Sequence, residues 1–535
     1  MTRAKPAPPS PRNPSQPETA SPLTSLPVKT RLLLLVWILP LCALAGPATI
    51  KIDIDHPVAA VDPRIYGVFM EPIGFNRPEL KFNTLYGPLY DPKSPLADEH
   101  GFRRDMIEAA RELQLTQMRW PGGNFVAGYD WRDGIGPKDK RPKRMELAWG
   151  VVESNQVGTD EWVQLNQEIG TENVVCINMG TGTLDDARYW VQYCNAPVGT
   201  YWADKRAEYG HPEPYAIKYW GLGNEVDGSP WIMGYKNADD YVKFALEAAK
   251  VMRLSSPGTK LEFIANGPSN YKDNLDWVEW TWTVVKNLYG VADYISMHRY
   301  WDNTEDYHVF VGERAMDLDE RIRIIEGQIQ AVDAIRKKKP MYISVDEWAP
   351  PFRGGHLSTL ALAQYFNAFL RHADSVKMAN YTLLTSLLSR DPKTDATYRS
   401  PTFHAFKLFS TRCRGTSLVT AVNCDTFRTT DHYAHIPYLD VTSVYDEKAQ
   451  QVIINVVNRH KDEAIATDIR SVTGTFAGTA SVSLITSDDV TNKPYTYEAR
   501  DSYAPKTEQL AASGPTLHYR FPAHSFTQIV VSVTR

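Results

Sequence analysis

Two acidic residues, Glu225 in GLGNEVDG and Glu347 in ISVDEW, each stand at the end of a short apolar run. Carboxyls displayed in pairs at strand ends suit glycoside hydrolysis. One must hold a proton for the leaving oxygen, and the other must be ionised on the opposite face of the sugar. Their separation of 122 residues is no obstacle where strands face one another across a closed sheet. GLGNE also invites a dinucleotide-loop reading, but Val226 stands where the third glycine belongs, so that reading fails.

The same arrangement recurs along the chain. Glu71 follows the run IYGVFM, Asn124 follows QMRW, and the GTGT of 180–183 follows NVVCINM. Asn224 and Glu225 follow IKYWGL, Asn266 ends LEFIAN, His298 and Tyr300 mark YISMH, and Asp346 and Glu347 follow MYISV. Any one of these is an ordinary cap or turn residue. Seven in phase point to a shared mouth. Amphipathic segments separate several runs: LDDARYWVQYCN repeats Ala187, Trp190, Val191 and Cys194 at helical spacing, and LSTLALAQYFNAFLRHA does so with Leu362, Tyr365, Phe366 and Phe369. With VKMANYTLL as the eighth run, apolar strands alternating with helices predict a (β/α)8 TIM barrel over residues 61–400.

Beyond it the runs QVIINVVN, TASVSLITS, TLHYRF and SFTQIVVSVTR are short and β-branched, predicting a jelly-roll-like antiparallel β-sandwich over 401–535. Residues 47–60, with Ile50, Ile52 and Ile54 alternating, are expected to add a strand to it. Residues 1–46 read as a Pro- and Ser-rich disordered leader and a signal peptide, because Lys29 and Arg31 precede the apolar run 32–45. That run has 14 residues, short of the roughly 18–20 that span a bilayer. Export to the periplasm or beyond is therefore expected, with an uncleaved membrane anchor through 32–45 as the alternative. Export would permit Cys413 and Cys424 to pair. A net charge of −5 without a long run of one sign excludes a nucleic-acid partner.

Several longer blocks, in one order, resemble the retaining α-L-arabinofuranosidases of glycoside hydrolase family 51: MRWPGGNFVAGYDWRDGIGP, NMGTGTLDDARYWVQYCN, GLGNEVDG, SMHRYW, ISVDEW, FNAFLRHADSVKMAN and PAHSFT. The resemblance implies Glu225 as general acid/base, Glu347 as nucleophile and Asn224 as the partner of the sugar 2-hydroxyl. It implies Glu71 and Asn124 as hydroxyl-binding residues of the terminal subsite, and Tyr300 as the tyrosine that bonds the nucleophile. His298 and Trp348 lie in matching motifs and are given supporting roles. Leu383 stands where the family carries a glutamine that helps hold the sugar, which loosens the expectation about substrate. Arg119 reads as structural, pairing a carboxylate beneath the site. Trp131, Trp149, Trp231 and Trp301 read equally as sugar platforms and as packing.

The expected activity is exo-acting release of terminal α-L-arabinofuranosyl groups from arabinose-containing glycans by double displacement. A β-xylosidase or endo-glucanase with the same pair is the alternative, and a non-catalytic carbohydrate-binding protein the third. No cofactor is expected, and no metal, since neither HExxH nor other ligand spacing occurs. Relatives assemble, but no residue here marks an interface, so homo-oligomerisation stays open.

Overall fold

Each of the eight apolar runs forms a strand because both of its faces are covered, one by the barrel interior and the other by a helix. The computed structural model describes residues 48–534 except 78–79, 229–230, 270–275, 353, 392, 492 and 494. The expected leader and the apolar run 32–45 lie outside the described residues. In chain order the barrel strands are Gly67–Phe69, Gln117–Trp120, Glu172–Cys176, Tyr219–Leu222, Glu262–Ala265, Tyr294–Tyr300, Tyr342–Ala349 and Val376–Thr382. Each pairs in parallel with the next, and the eighth returns to the first, closing the barrel. Val174, Tyr219, Ile264, Tyr294 and Met378 fill its interior beneath the site.

A helix follows every strand: Arg104–Glu112, Thr159–Ile169, Leu184–Asn195, Ala238–Leu254, Asp276–Leu288, Arg314–Arg336, His356–Arg371 and Pro401–Arg412. The third is fixed at its start by a reciprocal cap, in which the Thr183 hydroxyl accepts from the Asp186 N–H and the Asp186 carboxylate accepts from the Thr183 N–H. Pro401 opens the eighth helix behind the Ser400 cap, carrying the helical layer past the boundary read at residue 400.

Apart from four two-stranded hairpins, the other described strands build one nine-stranded sheet, ordered Lys506–Ala511, Thr475–Ile485, Ser525–Thr534, Gln451–Asn458, Leu439–Asp446, Thr416–Asn423, Ala48–Ala60, Ile465–Ser471 and Thr516–Phe521. Its pairings are antiparallel except that of Ala48–Ala60 with Ile465–Ser471. The sheet folds onto itself: Phe476 and Val482 near one end share a core with Leu517 and Phe521 at the other, and Ile50, Ile52 and Ile54 point into it. The helix His356–Arg371 is buried nearly all round, between the barrel and this sheet. At its end the Arg371 guanidinium donates to Asp319 of the barrel and to Asp440 of the sheet.

Candidate active site

Strand alternation should send neighbouring residues to opposite faces, yet Asp346 and Glu347 both turn inward. The cause is a bulge. Ser296 pairs with Ser344 and His298 with Glu347, while Val345 pairs with Ala379 and Trp348 with Tyr381, so the seventh strand carries one extra residue against both neighbours. Normal alternation then resumes, and Trp348 points out of the barrel. It is enclosed by the rings of Tyr365, Phe366, Phe369 and Tyr381. Its support for the site comes through packing behind the strand.

Glu225 follows the fourth strand on a strained turn. Gly223 has φ +90° and Glu225 itself φ +48°, a left-handed conformation that a non-glycine residue holds only when its surroundings enforce it. The enforcement comes from the fifth strand. The Asn266 side chain accepts from the Val226 N–H at 3.0 Å and donates to Asp227 at 3.1 Å. Asp227 in turn accepts from the Ser269 N–H.

The two glutamates meet in one buried space. A carboxylate oxygen of Glu225, a ring nitrogen of His298 and a carboxylate oxygen of Glu347 lie within 4.8 Å of one another. Glu347 accepts from Arg119 Nη1 at 2.8 Å on Oε1 and from the Tyr300 hydroxyl at 2.7 Å on Oε2. Arg119 also donates from Nη2 to Asn224 Oδ1 at 2.6 Å, which leaves the Asn224 Nδ2 amide buried without a protein acceptor. On the other side, His298 Nδ1 is 2.9 Å from Glu225 Oε1, and its Nε2 is 3.3 Å from Asp346 Oδ1.

These contacts place the two carboxyls in different surroundings. Burial pushes the Glu225 carboxyl above its usual range, and the charge of Glu347 adds to this against the opposing hydrogen bond from His298. Burial also disfavours an imidazolium, yet Glu347, Asp346 and Glu225 hold the His298 pKa well above its ordinary value. Glu71 is pushed up as well, by burial and then by Glu347. The Glu225, His298 and Glu347 atoms are close enough to be considered as a metal site, but their chemistry argues against it. Arg119 and Tyr300 already occupy the two oxygens of Glu347.

Glu71 and Asn124 complete the pocket. Glu71 accepts from the Phe125 N–H and from Trp149 Nε1 at 2.9 Å, and Asn124 Oδ1 is buried without a partner. The loop can approach this closely only because residue 123 is glycine, with φ +49°; a Cβ there would stand 1.8 Å from Glu71 Oε2. Trp149 and half-exposed Trp231 meet edge to face beside Glu71. Trp131 and Trp301 are buried in the helical layer, Trp131 against Trp190 and Trp301 against Tyr365, so both are packing. Leu383 is buried and begins the short helix Leu384–Leu387, while the preceding Thr382 hydroxyl lies 3.3 Å from that of Tyr300.

The sequence reading gave Arg119 a structural role only and named Asp346 at the shared mouth without a role. Arg119 is the centre of the constellation, touching Glu347 and Asn224 directly and lying 3.5 Å from Asp346. The available signal was an arginine between Met118 and Trp120 in a strand read as buried on both faces, since arginine is buried only when paired.

Two family models match the chain: the α-L-arabinofuranosidase 1 domain over residues 109–315 and the α-L-arabinofuranosidase C-terminal domain over 355–525. The chain is 36% identical over 453 residues to an intracellular exo-α-(1→5)-L-arabinofuranosidase of Halalkalibacterium halodurans, covering 80% of this chain and 88% of the relative. A crystal structure of α-L-arabinofuranosidase from Thermotoga maritima, an arabinose complex, superposes with a TM-score of 0.81 at 32% identity, covering 91% of this chain and 100% of that one. The GH51 α-L-arabinofuranosidase of Thermotoga petrophila superposes at 0.80, also at 32% identity and with the same coverage.

The names of these relatives overturn the expectation of export. Those from Bacillus subtilis, Acetivibrio thermocellus and Streptomyces lividans are also named intracellular. Fourteen apolar residues behind two basic ones are a compositional signal, which fixes neither a span nor a cleavage site. The disulfide tied to that expectation is not formed: Cys413 and Cys424 are free thiols, and the Cys413 thiol lies against Asn455. With both family models matched and its fold shared from the barrel through the sheet, the chain belongs to the α-L-arabinofuranosidases of glycoside hydrolase family 51.

Proposed function

We propose that this protein is a retaining exo-α-L-arabinofuranosidase acting inside the cell on short arabinose-containing glycans. The observation that carries the mechanism is the approach of Glu225 and Glu347 oxygens to within 4.8 Å. Retaining pairs stand about 5–5.5 Å apart and inverting pairs about 6.5–9.5 Å. Relatives named exo-α-(1→5)-L-arabinofuranosidases support the substrate class.

Glu347 attacks the anomeric carbon while Glu225 gives its proton to the leaving oxygen. The glycosidic C–O bond breaks and an ester C–O bond forms to Glu347. The ester is uncharged, so Glu225 becomes a better carboxylate and takes a proton from water, whose oxygen attacks the anomeric carbon and breaks the ester. Arg119 and Tyr300 each donate a hydrogen bond to Glu347 and keep it aimed. Asn224, with its oxygen tied to Arg119, directs its amide at the 2-hydroxyl, and Glu71 and Asn124 take other hydroxyls of the terminal sugar. The β-sheet domain serves as a support that covers the helix His356–Arg371.

Aryl α-L-arabinofuranoside, aryl β-xyloside and a cello-oligosaccharide, assayed side by side, test the substrate class. Turnover of the first alone is expected, and its absence would overturn the reading. Proton NMR of the first-formed sugar tests the mechanism, with the retained anomer expected and the inverted one contrary to it.

A further inference from the structure

Glu225 is held from behind by two residues that the reaction itself does not consume. His298 Nδ1 meets Glu225 Oε1 at 2.9 Å, and on the opposite edge of the ring Nε2 stands at ion-pair distance, 3.3 Å, from Asp346 Oδ1, a buried oxygen with no aligned hydrogen bond among the described residues. Asp346 reaches this position only through the bulge that turns it inward beside Glu347, and its second oxygen lies 3.5 Å from Arg119 Nε. We propose that Asp346, acting through His298, is a positioning residue that fixes which oxygen of Glu225 carries the catalytic proton. This deepens the double-displacement reading and rests on Glu225 being the acid.

The geometry gives the reason. A His298 ring protonated at both nitrogens donates from Nδ1 to Glu225 Oε1, so the proton of Glu225 is left to Oε2. The acid then presents its O–H on the side away from the histidine. After transfer, the same N–H stabilises the carboxylate that must next act as base. Asp346 holds the imidazole in place and favours its doubly protonated form, as carboxylates do for histidines in other acid–base sites. The charged groups facing the ring are Glu225 of the fourth strand's loop and Asp346 and Glu347 of the seventh strand, with Asp227 nearby in the fourth strand's loop. Arg119 of the second strand balances Asp346.

Loss of acid positioning has a signature that general damage lacks. An aryl arabinofuranoside with a good leaving group departs without a proton, whereas one with a poor leaving group needs it. Asp346→Asn and His298→Gln are measured on both substrates, with Glu225→Gln in parallel and each rate normalised to active sites by burst titration. For Asp346→Asn and His298→Gln, kcat/KM on the poor leaving group is expected to fall by about 100-fold, within the span of general acid catalysis, and to stay within about fivefold on the good one. Equal losses on both substrates, as from a displaced Glu347, would overturn the proposal, and so would unchanged rates. The control separates two failures. If Glu225→Gln is itself indifferent to the leaving group, the assignment of the acid falls. If it is selective and Asp346→Asn and His298→Gln are not, only the role of Asp346 and His298 falls. Should Asp346→Asn fold too poorly to titrate, His298→Gln alone decides.

Discussion

Asn224 offers a test in which substrate chemistry and protein structure cancel cleanly. Its Oδ1 is engaged by Arg119 at 2.6 Å and its Nδ2 has no acceptor among the described residues, so the amide keeps both N–H donors free and has a fixed direction. Asn224→Ala removes those donors, and a 2-deoxy arabinofuranoside removes the hydroxyl they are proposed to meet. Each change alone brings side effects: the variant leaves Arg119 short of a partner, and the deoxy sugar forms its oxocarbenium ion more readily. A double cycle of kcat/KM values, both enzymes on both substrates, removes these. A buried donor left unpaired costs about 1–3 kcal/mol. A coupling of about 2 kcal/mol, or roughly 30-fold, is therefore expected. If removing the 2-hydroxyl changes kcat/KM by the same factor in both enzymes, with coupling below about 0.5 kcal/mol, the two groups do not meet in the transition state and the reasoning fails.

Tyr300→Phe deletes the 2.7 Å hydrogen bond to Glu347; kcat/KM should fall by the roughly 1.5–3 kcal/mol of a bond to a charged group, with little change in Tm, and unaltered kinetics would contradict the role. Trp348→Ala opens a cavity among four aromatic rings and should lower unfolding free energy by about 3–5 kcal/mol in denaturant titration; a loss below about 1 kcal/mol would contradict the outward placement. Burial opposes the Asp319 charge, yet Arg371 and His372 hold its carboxyl far below the ordinary range. Because the folded pKa is depressed, its stabilisation is full above the unfolded value of about 4 and is lost as pH falls through the folded one. The stability gap between wild type and Asp319→Asn should thus be constant near neutrality and shrink below about pH 4; a gap unchanged at pH 3 would contradict it.

The barrel was legible because its strands are covered on both faces, so IYGVFM and MYISV stand out as largely apolar runs bounded by polar ends. Glu225 and Glu347 were legible for the same reason. Strand alternation predicts where Trp348 points only once the bulge before it is known, and the bulge leaves no mark in ISVDEW. That bulge is also what turns Asp346, named beside Glu347 at the seventh strand's end, into the same mouth, where simple alternation would have turned it away. Arg119 was visible but undervalued, since its three partners come from strands far apart in the chain. The approach of Gly123 to Glu71 is a property of the folded loop, not of PGGNF as a string. The apolar run at 32–45 misled for the opposite reason: composition was all it had.

The pairing of Glu225 with Glu347 is tested most directly by trapping the intermediate. Glu225→Ala, mixed with an aryl arabinofuranoside bearing a good leaving group, should form the ester quickly and hydrolyse it slowly. Peptide mass mapping of the quenched enzyme is predicted to find one arabinosyl group, on Glu347. The sugar on another residue, or steady turnover with no labelled peptide, would contradict the account.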